Sequence, residues 1–502
     1  LNRSHLALPR LSECKGLWLV GLVCLLMTLT TACSGPRLDR TELAPEPREC
    51  LETFEELDTA IRQAEVRDHG ERRLPGLPWL RSNRLLAALG QELDPASEQE
   101  TWNAWLDAMA ELDIQARRLE LANLLGEEPH STVVSREIRD LRECQAALNE
   151  RVLGKTELRT MAQNSARVPD DYRIGRRWMG LYPITRLFVL SGVNNLHEEQ
   201  ANALASAPEA ELGEWGSYQA TSGRQEKGWL KPPYSKRVSD GLGIPHKDKS
   251  EWADLFQRHT PVWRIDQSGD FDQLGRPFWG PDGEVQVDTD APMEYRYLSF
   301  TRFNGEIHAQ LNYMVWLPER PRDTFFDLLG GHLDGAIWRV TLDQDNQVIA
   351  GESLHVCGCY YMVFPGEGLE PAEQASGGEP IFVGPPLPAI GEEERLRLTR
   401  ESRSHYLIHI DPVPSEAPSR TELALAPAET LRSLPHPEGR RGLYGDRGLV
   451  PGSERRERWL LWTMGVPSPG AMRQPGRHAI AFAGRRHFDD PDILEQSLES
   501  AD

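Results

Sequence analysis

Apolar residues recur at helical spacing through residues 49–165. Leu51, Phe54, Leu57 and Ile61 fall three or four apart, as do Trp102, Trp105, Leu106 and Met109. Leu112, Ala116, Leu119 and Ala122 continue the stripe, followed by Ile138, Leu141 and Leu148. Helices with one apolar side bury it against each other, so this stretch predicts a bundle with these residues as its core. The polar string Arg81-Ser82-Asn83-Arg84 interrupts the pattern before a further helix. Over residues 166–260 the periodicity dissolves among Gly, Pro and Ser, which predicts a loop-rich connection with some helix around 187–205.

Between residues 261 and 415 the period changes to two. Alternating runs at 295–303 and 306–317 flank Asn304-Gly305, a hairpin signal because both turn positions need positive φ. In the second run Ile307, Ala309, Leu311, Tyr313, Val315 and Leu317 share one face, and His308, Gln310 and Asn312 share the other. A second hairpin is expected around Asp343-Gln344-Asp345-Asn346, and a late strand at 405–411 alternates likewise. The sum is an α+β protein: an N-terminal helical bundle followed by a mainly antiparallel, sandwich-like β domain. Residues 416–502, rich in Gly and Pro and carrying Arg473, Arg477, Arg485 and Arg486, are expected to pack on that domain.

Residues 1–32 read as a targeting segment rather than as fold. Arg3, Arg10 and Lys15 precede an apolar run, and small residues follow it, the order of a secretory signal. The run, at 17–29, is shorter than the roughly 20 residues of a spanning helix. Leu29-Thr30-Thr31-Ala32-Cys33-Ser34 resembles the lipobox of bacterial lipoproteins, with Thr30 where an aliphatic residue is usual. The resemblance implies a lipid on the Cys33 thiol, cleavage just before it, and a tether over residues 33–48. Acyl chains contribute about 0.8 kcal/mol per buried methylene, so several on one cysteine hold a protein to a bilayer. Ser34 after the cysteine is similar to the outer-membrane sorting pattern. The expected location is therefore the cell envelope, anchored to the outer membrane and facing the periplasm.

Charge narrows the partners. A net charge of −21 over 502 residues repels nucleic acid and anionic headgroups in general, though local basic patches remain open. The bilayer, through acylated Cys33, and an envelope protein or ligand are the partners expected. Of seven cysteines, Cys14 and Cys24 leave with the leader and Cys33 takes lipid. Cys50, Cys144, Cys357 and Cys359 remain in an oxidising compartment. Cys50 and Cys144 lie on two predicted helices, where a disulfide is expected and two buried thiols are the alternative.

The densest chemistry is His355-Val356-Cys357-Gly358-Cys359-Tyr360-Tyr361. On an extended strand His355, Cys357 and Cys359 share a face, neighbours about 6.6–6.8 Å apart, so adjacent members can share a zinc-sized ion. His308, His332 and Asp334 stand on nearby elements, giving a candidate site of His308, His332, Asp334, His355 and Cys357 for zinc or another divalent metal. His405, His409 and Asp411 form a further set on the late strand. Cys357 and Cys359 are also open to a strained disulfide, which a redox role would use, or to inert buried thiols. Asp266, Asp270 and Asp272 lack the spacing of a calcium loop and read as turn residues. The Arg and His residues of 470–478 and 484–487 offer an anion patch or partners for neighbouring acids.

Tyr313-x-x-Trp316-Leu317-Pro318, Gly331-His332-Leu333-Asp334 and the strand around Trp338 are similar to the core of necrosis-inducing-type secreted proteins. That family is a β-sandwich whose Gly-His-x-His-Asp-Trp-Glu string contributes to a divalent-metal site. The likeness spans about 50 residues and carries over only His332 and Asp334, because Gly335 and Ala336 stand where the family's further residues would be. It implies a sandwich-like β domain.

No Gly-x-Ser-x-Gly elbow, phosphate-binding loop or His-Glu-x-x-His pair is present. The leading expectation is a lipid-anchored envelope protein that binds a partner or ligand. A metal-dependent hydrolase and a thiol-redox protein using Cys357 and Cys359 are the alternatives.

Overall fold

The structure, a computed structural model, describes Leu38 and residues 43–94, 97–168, 170–206, 214–225, 232–374, 378–417 and 419–501. Cys33, the leader and most of the tether lie outside them.

The N-terminal region is helical, as its pattern predicts: α1 (Pro45–Gln63), α2 (Arg84–Glu92), α3 (Gln99–Leu125), α4 (Thr132–Leu153) and α5 (Thr156–Ser165). Phe54, Trp102, Trp105, Met109 and Ile138 meet in one core. Helix α3 stops at Gly126, whose φ of 68° closes the last turn in the left-handed conformation that glycine adopts without strain. Cys50 of α1 and Cys144 of α4 are joined by a disulfide. The polar break holds a short hairpin, β1 (Arg72–Leu74) with β2 (Leu77–Ser82), laid against α3. Arg81 points inward there, bonded to Asp113 at 3.0 Å and Glu120 at 2.6 Å. Four further helices follow: α6 (Ile174–Met179), α7 (Tyr182–Ala205), α8 (Lys236–Leu242) and α9 (Lys249–Arg258).

The connection also supplies β3 (Trp215–Gln225), a strand the sequence pattern did not show. It enters the main sheet with β4 (Val262–Asp266), and a separate hairpin of β5 (Arg276–Trp279) and β6 (Val285–Asp288) follows. Next come β7 (Met293–Phe303), β8 (Glu306–Arg320), β9 (Gly331–Leu342), β10 (Val348–His355) and β11 (Met362–Pro365). Then follow β12 (Leu369–Pro371), β13 (Phe382–Val383), β14 (Glu394–Arg400), β15 (Leu407–Pro414) and β16 (Thr421–Pro427). Both predicted hairpins are present; Phe303 pairs with Glu306 across Asn304-Gly305, and Leu342 with Val348.

Eleven strands form one sheet in the order β13-β11-β10-β9-β8-β7-β16-β3-β4-β14-β15. Strands β7 to β11 run antiparallel, but β16 is parallel to both β7 and β3, and β14 to β4. The sheet is therefore mixed, and continuous where two separate layers were expected. It curls until β14 faces β10, where Arg400 Nη2 donates to Ser353 Oγ at 2.9 Å. Trp263, Tyr313, Trp338 and Phe364 fill the inside of the curl.

The other face of β8 is buried too, although its residues are polar. Gln310 accepts from Ser299 Oγ at 3.0 Å, and Asn312 donates to the Tyr297 carbonyl at 3.2 Å, so both are paired within the sheet. The C-terminal residues cover this side, with Tyr444, Met472, Phe488 and Leu494 packed beside Met314 and Ile337.

Candidate functional site

The curled sheet has two mouths, and the candidate residues divide between them. At one, β8 ends in Arg320, β9 begins near Asp334, β10 ends in His355, and β14 ends in Arg400. Asp334 is the hub. Its Oδ2 meets His405 Nδ1 at 2.7 Å, and its Oδ1 lies 3.5 Å from His355 Nδ1 and accepts the Gly335 amide at 2.9 Å. The second nitrogen of His405 meets Asp272 Oδ1 at 3.2 Å. Asp272 is held by the Ser402 hydroxyl at 2.7 Å and the Arg403 amide at 2.8 Å. The result is a buried ladder, Asp272–His405–Asp334–His355.

Its local causes are plain. His405 is not on β15 but just before it, at a φ of 55°, and that turn swings its ring into the ladder. Asp272 closes a short 3₁₀ turn (Asp270–Asp272), so the acidic string is a turn whose last carboxylate also serves the ladder.

Burial and charge set the protonation. Burial opposes charge on Asp334, but His355 and His405 outweigh it and hold the carboxyl well below its usual range. His405 is raised, since two carboxylates overcome its burial. Asp272 is lowered to about 2, because its hydrogen bonds, that from His405 first, outweigh burial. His355 is lowered to about 4 by burial, with Arg400 and Arg320 adding to the effect against Asp334. It is therefore a neutral imidazole at neutral pH. With Nδ1 beside a carboxylate, the Nε2 lone pair is the free one; that atom is buried and has no hydrogen-bond partner. Tyr360 and Tyr406 pack over the ring, with centroids 4.9 and 5.9 Å away, and Arg320 donates to both hydroxyls at 3.3 Å.

Of the five candidate metal ligands, only Asp334 and His355 come together. His332 is exposed and bonded to the Val285 carbonyl at 2.5 Å. Cys357 turns away after His355 and faces Cys359; its carbonyl accepts from Arg473 Nε at 2.9 Å. His308 sits at the opposite mouth, 3.1 Å from the Phe303 carbonyl. Among the described residues no group of three or more His, Cys, Asp or Glu is placed to hold a metal ion. Cys357 and Cys359 are free thiols, and contact with Cys357 plus burial keeps the Cys359 thiol well above its ordinary pKa. Redox exchange needs a thiolate, which this setting disfavours. Asp411 is occupied by a two-pronged pair with Arg397, at 2.9 and 2.6 Å. The C-terminal arginines are clamps rather than an anion patch: Arg473 bonds the Pro467 and Cys357 carbonyls, Arg477 pairs with Asp171, and Arg485 with Asp170.

The opposite mouth is an open cleft of about 1310 Å³. Helix α9 ends on it with Arg258 and His259; Leu387, Arg395 and Leu396 come from the far edge, and His308 and Asn346 from the two hairpins. Four side-chain atoms of these residues are buried without a partner: His259 Nε2, His308 Nδ1, Asn346 Oδ1 and Arg395 Nε. Burial and the charges of Arg258 and Arg395 lower His259 to about 4. Sequence reasoning flagged only His308 here, since nothing along the chain links α9, the hairpin turns and β14.

No protein family, curated protein or solved structure matches the chain.

Proposed function

We propose that the chain is a lipid-anchored envelope protein whose curled sheet binds a small amphiphilic anion in the open cleft. The observation that carries this is the joining, on the lining of one large open cleft, of two arginines and a stretch of apolar surface. Barrel mouths are a common place for such ligands. Arg258 and Arg395 supply positive charge at one wall, with Leu255, Leu387 and Leu396 as apolar surface, while Glu306, Asp343, Asp345 and Glu367 on the same lining confine the anion to the arginine side. The anchor at Cys33 and the outer-membrane location rest on the sequence and belong to the same proposal.

Native mass spectrometry of the chain purified from envelopes tests it. A co-purifying small anion, lost on Arg395→Ala with Arg258→Ala, is the expected result. Wild-type protein free of any such adduct, and unshifted in melting by a panel of fatty carboxylates and phosphate esters, would sink it.

A second reading has its own observation, the free Nε2 of His355 beneath two tyrosines. A carboxylate on one imidazole nitrogen with the other left free is the arrangement of a general base. On that reading His355 takes a proton from water or substrate, Asp334 orients it, and Arg320 with the tyrosine hydroxyls holds a developing negative charge. Hydrolysis that disappears in His355→Gln, and whose acid limb lies near the lowered His355 value of about 4, would favour it. Activity that follows added divalent metal would point instead to the metal-dependent hydrolase.

A further inference from the structure

Large apolar side chains are exposed in one region of an otherwise acidic molecule. Trp178 is 82 % exposed, Phe188 76 %, Phe326 83 % and Trp459 73 %. They come from three distant segments that the fold places side by side. The short helix α10 (Arg458–Leu461) runs on into Trp462–Met464, and both α6 and α7 lie against that turn. Arg177 bonds the Met464 carbonyl at 2.7 Å, and the Arg173 amide bonds the Gly465 carbonyl at 2.9 Å. The loop after β8 joins from the other side: the Glu457 amide bonds the Leu328 carbonyl at 3.0 Å, and Arg456 bonds the Phe325 carbonyl at 2.7 Å. Gly180 is required at this junction, because a Cβ there would lie 2.5 Å from Thr463.

The rim of the patch is basic. Arg173, Arg176, Arg456 and Arg458 border it, and among the described residues none of them forms an ion pair. Arg456 and Arg458 instead stack on the aromatic rings, 5.2 Å from the Phe325 centroid and 5.1 Å from that of Trp459. Most of the nearby acids are turned inward or engaged: Glu457 is buried, Asp323 pairs with Arg403, Asp170 and Asp171 pair with Arg485 and Arg477, and Asp327 accepts from the Leu329 amide, while Glu454 is exposed among the arginines.

We infer that this face docks on a bilayer surface carrying anionic headgroups, with the aromatic side chains at the headgroup level and the arginines among the phosphates. Trp and Phe gain most at that level, and each nearby Arg contributes about fivefold in affinity to an anionic surface. On a chain of net charge −21 the basic rim answers an anionic surface, and a bilayer interface takes the aromatic centre as well. No helix among the described residues is long and apolar enough to cross a membrane. On the proposed anchor, about 12 residues separate Cys33 from the start of α1, a reach of at most about 40 Å, which keeps the body close enough to dock. No residue of the cleft takes part, so this inference and the ligand reading fail separately.

The test uses residues 33–502 with Cys33→Ser, which keeps every described residue and removes the acyl chains. The chain is sedimented with phosphatidylcholine vesicles, with and without about 30 % phosphatidylglycerol. It should sediment only with the anionic vesicles and be released by salt. Phe188→Ser with Trp459→Ser, and separately Arg173→Gln with Arg458→Gln, should each weaken binding about tenfold or more. Arg136→Gln, an exposed arginine on α4, should leave it unchanged. No sedimentation with anionic vesicles, or sedimentation that neither pair of substitutions weakens, would overturn the inference. So would a concentration-dependent dimer, seen by analytical ultracentrifugation, that the same substitutions disperse.

Discussion

The buried ladder and its surroundings make opposed demands on protons. Asp272 and Asp334 titrate lower in the fold than unfolded, so the stability they contribute is complete above about pH 4 and is lost in acid, that of Asp272 as the pH falls toward 2. His405 is raised, so its contribution is complete below about pH 6.5 and is lost as the pH rises through its native value. Glu457 runs against the other carboxylates. Burial pushes it from 4.5 up to about 7, so the fold retains a proton that the unfolded chain releases earlier. Its own contribution therefore declines between about pH 4.5 and 7, against the rise that His355 and His259, both lowered to about 4, give over much of the same range, and Glu457→Gln should make the net profile rise more steeply. Urea titrations across that range measure the slope; a variant with the wild-type slope would assign the effect to other groups. At the hub, Asp334→Asn leaves His405 and His355 with a weaker partner in a dry site and should cost about 3–5 kcal/mol in the same titrations.

At the scale of elements, local signals were legible and long-range ones were not. The stripes of Leu51, Phe54, Trp102 and Trp105 predict helices because period 3.6 is written in adjacent turns. Asn304-Gly305 predicts a hairpin because the turn selects its own residues. Strand β3, with Gly216, Ser217, Gln219 and Thr221, lacks a run of apolar alternation, and its place beside β16 depends on a partner some 200 residues away. Parallel pairings leave no turn between neighbours to read, so the mixed order of the sheet was invisible. The site follows the same rule. His355, Asp334 and His405 stand out as chemistry-bearing residues, but Asp272 looks like a turn acid until the fold carries it to His405. The Cys50–Cys144 bond was legible from parity and helix placement. It closes a loop of 94 residues, so Cys50→Ser with Cys144→Ser should lower unfolding free energy by about 4–5 kcal/mol on the chain-entropy account. Chemical denaturation of the double variant measures this, and a loss below about 1 kcal/mol would mean that the reduced chain keeps α1 against α4 without help.

At the scale of the whole molecule, the question is whether the helical and β regions stand or fall together. A buried ionic network crosses between them. Arg81 holds Asp113 and Glu120 within the bundle, and Asp68 of the same region accepts from Arg432 Nε at 2.7 Å, across 364 residues of chain. Arg432 also reaches Glu71 at 3.0 Å, and Gln474 from the C-terminal segment donates to Asp68 at 2.9 Å. Asp68 is buried but strongly lowered, since Arg432 and Arg81 outweigh its burial. The buried Asp68 and the half-buried Glu71 thus depend on a cation from the far side of the fold. Arg432→Ala strands them and should cost about 3–5 kcal/mol. If the network couples the regions, helical ellipticity and the fluorescence of the tryptophans inside the curl, Trp263 and Trp338, should melt together in the variant, both shifted down. A drop in one signal alone would show that the bundle and the sheet unfold independently, so that the boundary near residue 165 drawn by periodicity is also a boundary of cooperativity.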